Sequence, residues 1–502
     1  MSKRTDYIPP EIFEAFQQKS VGYSLLIKGV AGAGKTTLAL TLLSIFEDYE
    51  PIYISSRVAP QSIYSQFPWI QKKLKETNII DATRTYLPPV DDVKALKTHL
   101  LRTIRFNDVP EFLKIIYDKI DEEQNSIVVI DSWDAIIGQI NGDKASEWET
   151  ILTEFVRQMK VKLILVNESV QPSYLDYIVD GILELKDGAI DERVFRTMGV
   201  NKIRGVLRRQ KEYGFTLHNN EFIHCSAYYD APLKEESYAQ AATSTWQTVN
   251  PPNSNLYSTG SPELDKFYRG GLQLSTLNLW EIVSDVPLSV FSNIMITMIS
   301  NFISNGWGTL IYSIDGVNSR FIDKNKLFMQ LPMNNINNNI RFLVEQMPEL
   351  PQNGKSETRP YVVPFKTQNF MEVFSEEYQK LTRRTNYNPI LSIAAYDYLM
   401  YNQNPNILTN EVYAHLKFAR NYNVIGVGIV NHLDRGGSES APSSFGAKKP
   451  DLSYFFDTHV KMIFKNNSIF LYGIKPHTEI FWVKTEYSEK KLIPDIKLMP
   501  MV

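Results

Sequence analysis

The chain has 502 residues, 43% of them hydrophobic, enough to bury more than one core, and a prior of about 100–200 residues per domain gives two large domains. A formal net charge of -3 and an isoelectric point near 6.2 exclude a global basic field, so any nucleic-acid contact must come from a local patch. The single cysteine, Cys225, excludes an internal disulfide, and the opening MSKRTDYIPPE is not a charged-then-apolar leader, so a cytoplasmic protein is expected.

In chain order, SLLIKG predicts a buried strand and TTLALTLLSIF a helix, followed by the strands PIYIS, SIVVID and KLILVNE with helical runs between them. Strands alternating with helices predict an α/β fold, a mostly parallel sheet covered on both faces. Between the first strand and the first long helix lie Gly29, four spacers (Val30, Ala31, Gly32 and Ala33), then Gly34, Lys35, Thr36 and Thr37. This is the spacing of a phosphate-binding loop in its proper context. Glycines let backbone N–H groups turn inward onto phosphate oxygens, Lys35 supplies a point charge, and the Thr36 hydroxyl suits Mg²⁺. Asp131, closing the strand SIVVID, is the matching carboxylate for the metal. Bound ATP with Mg²⁺ is therefore expected in the first half.

Beyond residue 235 the pattern dissolves into small and polar residues with a Pro-Pro pair, predicting a linker over 236–255 between domains at 1–235 and 256–502. Residues 286–314 carry no charge and are long enough to cross a bilayer, but their serines, asparagines and the Gly306-Trp307-Gly308 break predict a buried helix, a turn and a buried strand instead. NNINNN after Met333 and NQNPN after Tyr401 read as surface loops of biased composition.

The two halves repeat each other. PPEIFEAF from Pro9 parallels SPELDKFY from Ser261, and SLLIKG parallels TLNLWE. Across the loop, one residue further on, Gly29 falls on Ile282, Gly34 on Pro287, Lys35 on Leu288 and Thr36 on Ser289. IVVIDSWD falls on ILSIAAYD, so Asp131 meets Ala394. LVNE at Leu165 falls on IVNH at Ile429, DGILEL at Asp180 on DTHVKMI at Asp457, and KIRG at Lys202 on GIKP at Gly473. The second half thus lacks both the lysine and the carboxylate, and one nucleotide per chain is expected.

These residues together resemble the RecA-superfamily ATPases of the KaiC-like group, and more narrowly the archaeal GvpD-like proteins. The resemblance rests on IPPEIFEAF, the phosphate loop, YISSRVAPQSIYSQFPWI, VVIDSW, DGILEL, KIRG and, in the second half, STGSPELDKFYRGGL. It implies two tandem RecA-like domains, the second degenerate, and assembly into homo-oligomeric rings or filaments with ATP between subunits. It further implies that Lys202 and Arg204 reach the γ-phosphate held by a neighbouring subunit. KaiC-like domains commonly place two consecutive glutamates after the second strand, where this chain has Arg57 and Val58. Slow hydrolysis is therefore expected, with Glu168 as a substitute base or a cap, and with Arg57 as a phosphate or subunit contact or a plain surface residue. The basic run KIRGVLRRQK, 202–211, suits a DNA backbone or an acidic protein partner. Adjacent His224 and Cys225 are a poor chelating pair, and Trp133 reads as packing. The expected protein is an ATP-binding regulator with weak ATPase activity; a DNA-dependent motor and a non-hydrolysing scaffold are the rival readings.

Overall fold

The computed structural model describes residues 7–18, 21–81, 120, 125–137, 142–229, 245–251, 255–312, 330–345, 360–365, 370–396, 405–432, 453–487 and 493–502. The chain forms two compact units, Met1–Ala227 together with Pro500–Val502, and Tyr228–Met499.

In the first unit the elements run α1 (Pro10–Gln17), β1 (Tyr23–Gly29), α2 (Lys35–Ile45), β2 (Glu50–Ser55), α3 (Pro60–Gln66), β3 (Ile79–Asp81) and β4 (Ser126–Asp131). They continue as α4 (Trp133–Ile137), α5 (Gly142–Met159), β5 (Lys162–Asn167), α6 (Leu175–Ile178), β6 (Gly181–Ile190), β7 (Arg193–Ile203), β8 (Glu212–Thr216) and β9 (Ile223–His224). The sheet order is β3-β2-β4-β5-β1-β6-β7-β8-β9, parallel through β6 and antiparallel beyond it. Every residue of β1 and β5 is buried, because helices cover both faces. Leu25 and Ile27 face one core with α2, while Leu26 faces the other with Trp133 and Val156.

The second unit contains β10 (Leu256–Tyr257), α7 (Pro262–Phe267), β11 (Leu272–Gln273), β12 (Thr276–Val283), α8 (Leu288–Ser304), β13 (Gly308–Tyr312), α9 (Met333–Asn339), β14 (Ile340–Glu345) and β15 (Val362–Phe365). After these come α10 (Phe370–Arg384), β16 (Ile390–Ala395), α11 (Pro405–Asn421), β17 (Val424–His432), β18 (Thr458–Lys465), β19 (Ser468–Lys475), β20 (Phe481–Glu486) and β21 (Asp495–Pro500). Its main sheet runs β15-β14-β13-β16-β17-β12-β18-β19-β20-β21. Strand for strand this repeats the first sheet, with one added strand at the β15 edge. Both units are therefore mostly parallel α/β sheets flanked by helices, the tandem RecA-like architecture. No helix among the described residues is long and apolar enough to cross a membrane, and residues 286–304 form a turn and the buried helix α8.

Hydrogen bonds place the repeat more sharply than the sequence does. Ser24 and Asp180 exchange bonds through Ser24 N to Asp180 Oδ2 at 3.0 Å, as Leu277 N does to Asp457 Oδ2 at 2.9 Å. SLLIKG therefore overlies LNLWEI, one residue beyond TLNLWE, and Lys35 and Leu288 coincide as the first residues of α2 and α8. From there, the pairings Lys28 with Asn167 and Glu281 with Val430 lay LVNE on GIVN rather than on IVNH. Asp131 then falls on Ala395 rather than Ala394, and Lys202 on Lys475 rather than Gly473. Apolar runs carry no register mark of their own, and the ladder decides. The chemistry is unaltered, since neither alanine offers a carboxylate.

Three further features depart from the expectations. NNINNN lies within helix α9, not a loop; Pro332 opens it and the fully buried Ile336 anchors it. Much of the expected linker lies outside the described residues, but Val249 is tied to α8 through both its N–H and its carbonyl, at 2.9 and 3.0 Å from the Asn301 amide. The antiparallel extensions begin with two-residue turns in which both central residues have positive φ, Asp191 and Glu192 in one unit and Asn466 and Asn467 in the other.

The STG motif of the second half is an architectural clasp. The buried Asp265 carboxylate accepts from the Ser258 hydroxyl at 2.5 Å and from both the N–H and the hydroxyl of Thr259 at 2.7 Å. Gly260 has φ 83°, and a Cβ there would lie 2.7 Å from the Thr297 carbonyl.

A buried histidine also sits in this unit: His415 Nε2 meets Ser392 Oγ at 3.0 Å and its Nδ1 meets Tyr396 Oη at 2.7 Å. Burial pulls its pKa from 6.5 to about 4. On acidification the unfolded chain takes up this proton first, so its contribution is constant above the unfolded value and stability falls as pH drops from 6.5 toward 4, by up to about 3 kcal/mol. The urea midpoint of wild type should therefore drop across that window by more than that of His415→Gln; equal pH slopes would contradict the assignment.

Candidate phosphate-binding site

Parallel strands bring their C-terminal ends to one edge of a sheet, where ligands of open α/β folds bind. In the first unit that edge gathers Gly29 from β1, Ser55 from β2, Asp131 from β4 and Asn167 from β5, through the pairings Ser55 with Asp131, Asp131 with Val166 and Lys28 with Asn167. The loop 30–34 lies over it. Gly34, the residue before α2, has φ 95°, and a Cβ would press to 3.0 Å from the Leu217 side chain. Its glycine is required by conformation.

Lys35 is buried, and its Nζ donates to the carbonyls of Gly29 and Val30, both at 2.7 Å. The Ala33 N–H donates to the same Val30 carbonyl at 3.2 Å. The loop thus closes on itself, with the Val30 oxygen accepting from two groups that would otherwise donate to an anion. Burial lowers the Lys35 pKa, opposed by the charges of Glu168, Asp131 and Asp134. The Thr36 hydroxyl donates to Asp131 Oδ2 at 2.6 Å, and the Tyr53 hydroxyl donates to the same oxygen at 2.8 Å. Burial raises the Asp131 pKa, and these two donors and Lys35 hold it back. Thr36 and Asp131 offer adjacent hard oxygens, the donor set of a Mg²⁺ that completes its shell with phosphates and water. Among the described residues no cluster of three or more His, Cys, Asp or Glu side chains forms a separate metal cage.

Arg57 and Glu168 form an ion pair at this edge. The Glu168 N–H donates to Asp134 Oδ2 at 3.2 Å, which fixes the strand end that carries it. Val58 N accepts no charge role; it donates to the Ser55 hydroxyl at 3.2 Å and shapes the turn.

Lys202 and Arg204 lie elsewhere. Lys202 pairs with Ile182, and Ile182 with Leu26, three residues before Gly29 and two strands away, so the pair stands on the order of 10 Å back along the strand direction and another ~10 Å across. Lys202 Nζ donates to the carbonyls of Asp176 at 2.9 Å and Tyr177 at 3.0 Å, and Arg204 meets Asp180 at 3.4 Å. The Lys202 pKa is lowered by burial and by Arg204. The structure does not bring these two residues to the phosphate loop of their own chain.

Tyr53, Asp134 and Arg196 belong to the site and were not singled out from sequence. Tyr53 sits in PIYIS, where its hydroxyl reads as one more buried aromatic; only the Ser55–Asp131 register turns it toward the carboxylate. Arg196 Nη1 donates to the Gly32 carbonyl at 3.2 Å from β7, a strand the alternation pattern did not reveal. In the second unit β12 runs on to Val283, which pairs with His432, and the turn is closed by Val286 N to Val283 O at 2.9 Å. Strand and turn occupy the length that the phosphate loop uses in the first unit.

Residues 13–201 match the family model described as GvpD gas vesicle protein, P-loop domain. Protein GvpD1 of Halobacterium salinarum is 26% identical over 321 residues, which is 61% of this chain and 57% of that protein; Protein GvpD2 of the same organism is 26% identical over 316 residues, 61% of each. The chain thus spans about three fifths of the length of these relatives. Circadian clock oscillator protein KaiC 1 of Synechocystis is 24% identical over 214 residues, 39% of each chain. With the loop, the buried lysine and the threonine–aspartate pair at one sheet edge, these matches show that the first unit is similar to the GvpD P-loop domain and, over a shorter stretch, to KaiC.

Proposed function

We propose that the chain is a cytoplasmic, nucleotide-binding regulatory protein whose first unit holds one ATP with Mg²⁺ and hydrolyses it slowly, while the second unit is a scaffold. The convergence of Lys35, Thr36 and Asp131 on one glycine loop carries this reading, set against Leu288, Ser289 and Ala395 at the matching places of the second unit. A triphosphate entering the loop would take over the donors now spent on the Val30 carbonyl. Lys35 would face the β/γ-phosphates, Thr36 and Asp131 would hold the metal, and the metal would draw charge from the transferring phosphoryl group. Glu168, at the tip of β5, is the carboxylate in place to orient the attacking water. Its ion pair with Arg57 ties up one of its oxygens, which agrees with slow turnover.

Lys202 and Arg204 sit far from their own loop, and this supports a trans role: in a ring or filament they would meet the γ-phosphate of the next subunit, making turnover depend on assembly. Ordering of loops by γ-phosphate and metal would then change how subunits or a protein partner pack. DNA is a poorer partner for the basic run, because Arg209 is paired with Glu14 and Lys202 is engaged by backbone carbonyls.

Labelled ATP should saturate near one per chain with Mg²⁺ present, and Lys35→Ala should abolish binding; two per chain, or undiminished binding by the variant, would overturn the reading. Glu168→Gln should lower turnover by about 10²-fold while leaving ATP affinity within about twofold. Arg204→Ala should bind ATP normally yet lose turnover in the assembled protein, and unchanged turnover there would remove its trans role. Stimulation of turnover by single-stranded DNA, weakening steeply with salt, would favour the motor instead.

A further inference from the structure

We infer that Arg196 is a positioning residue for the phosphate loop and that it acts together with the segment Pro500–Val502, which docks in the first unit beside it. This rests on the nucleotide-binding reading of the loop. Arg196 on β7 lies two residues beyond the level of Gly29, since Gly29 pairs with Leu185, Leu185 with Met198 and Asp187 with Arg196. Its Nη1 donates to the Gly32 carbonyl at 3.2 Å and its Nε to the Val502 main-chain oxygen at 2.9 Å, while Asp187 stands 3.6 Å from the guanidinium.

A second link runs in parallel. The Leu217 N–H donates to the same Val502 oxygen at 3.3 Å, and the Leu217 side chain is the wall against Gly34. The segment itself is held by Thr216 Oγ1 donating to the Pro500 carbonyl at 2.6 Å and by the buried Met501, whose sulfur lies 3.7 Å from Cys225 Sγ. One main-chain oxygen therefore holds both Arg196 and Leu217, two residues whose side chains reach the glycine loop.

A trans peptide points its C=O and the next N–H in opposite directions. Holding the Gly32 oxygen outward on Arg196 keeps the Ala33 N–H turned inward, where it now donates to Val30 and where a phosphate oxygen would replace that acceptor. Arg196 presets the loop for an anion without touching it. By linkage, occupancy of the loop must tighten the hold on Pro500–Val502 by the same factor that docking tightens the ligand.

The test uses the full chain with the fluorescent analogue mant-ATP and Mg²⁺. Arg196→Gln and Met501→Asp should each weaken binding about tenfold, the double variant no more than either alone, and Arg196→Lys should recover part of the loss. Thermal melting without nucleotide checks that each variant is folded, and amide exchange at Met501 and Leu217 should slow when mant-ATP binds. Unchanged affinity in folded Arg196→Gln, or losses that multiply in the double variant, overturns the inference while leaving the loop's function intact. No binding by wild type would instead sink both.

Discussion

A buried ammonium must be solvated by something, and at Lys35 that duty falls to two backbone carbonyls, not to a carboxylate. Much of the first unit is arranged around this constraint. β1 must end at Gly29 so that the chain can curl and present those oxygens, α2 must begin at Lys35 so that the side chain emerges beneath the curl, and Gly34 must supply the left-handed backbone between them. The neighbouring acidic groups act from a distance: Asp131, Asp134 and Glu168 oppose the cost of burying the charge without quenching it by direct contact. The result is a buried cation whose direct partners are two neutral carbonyls.

The second unit shows what happens when the constraint is lifted. With Leu288 where Lys35 would be, no charge needs solvation, β12 extends to Val283 and a four-residue turn leads straight into α8. That helix carries no charged residue and buries most of its length, including Phe291, Met295, Met298 and Phe302. Full burial of each such side chain is worth about 1.5–3 kcal/mol, so the fold keeps its core through apolar packing alone. The Asp265 clasp and the matching bulges, at Ile182/Leu183 and His459/Val460, persist because they serve architecture. The two sheets share these irregularities as well as their strand order.

The sites at the two ends of the first sheet have different characters. At the loop end, the buried Lys35 is held by two backbone carbonyls; at the other end, Lys202 and Arg204 are held by backbone carbonyls and one carboxylate. The two sites stand on the order of 10 Å apart along the strand direction and two strands apart across the sheet.

Much of this was legible in the residues themselves. A glycine loop between an apolar strand and a helix announces its chemistry because few other contexts demand two positive-φ glycines, a lysine and a threonine in that spacing, and the alternation of apolar strands with helices announces the layers because parallel strands are buried on both faces. Asn466-Asn467 announces its hairpin turn in the same way, whereas Asp191-Glu192, in the equivalent turn, does not. NNINNN misled, since asparagine composition outweighed one buried isoleucine. The sequence by itself determined the parallel strands SLLIKG, PIYIS, SIVVID and KLILVNE, the loop and the loss of that loop in the second half, because these follow from local backbone preference and side-chain chemistry. Only the tertiary structure decided the one-residue register of the repeat, the turn of Tyr53 onto Asp131, the pairing of Arg57 with Glu168 and the reach of Arg196 to Gly32. Each of those depends on which residues stand side by side in space, a relation between segments up to 180 residues apart that no local pattern encodes.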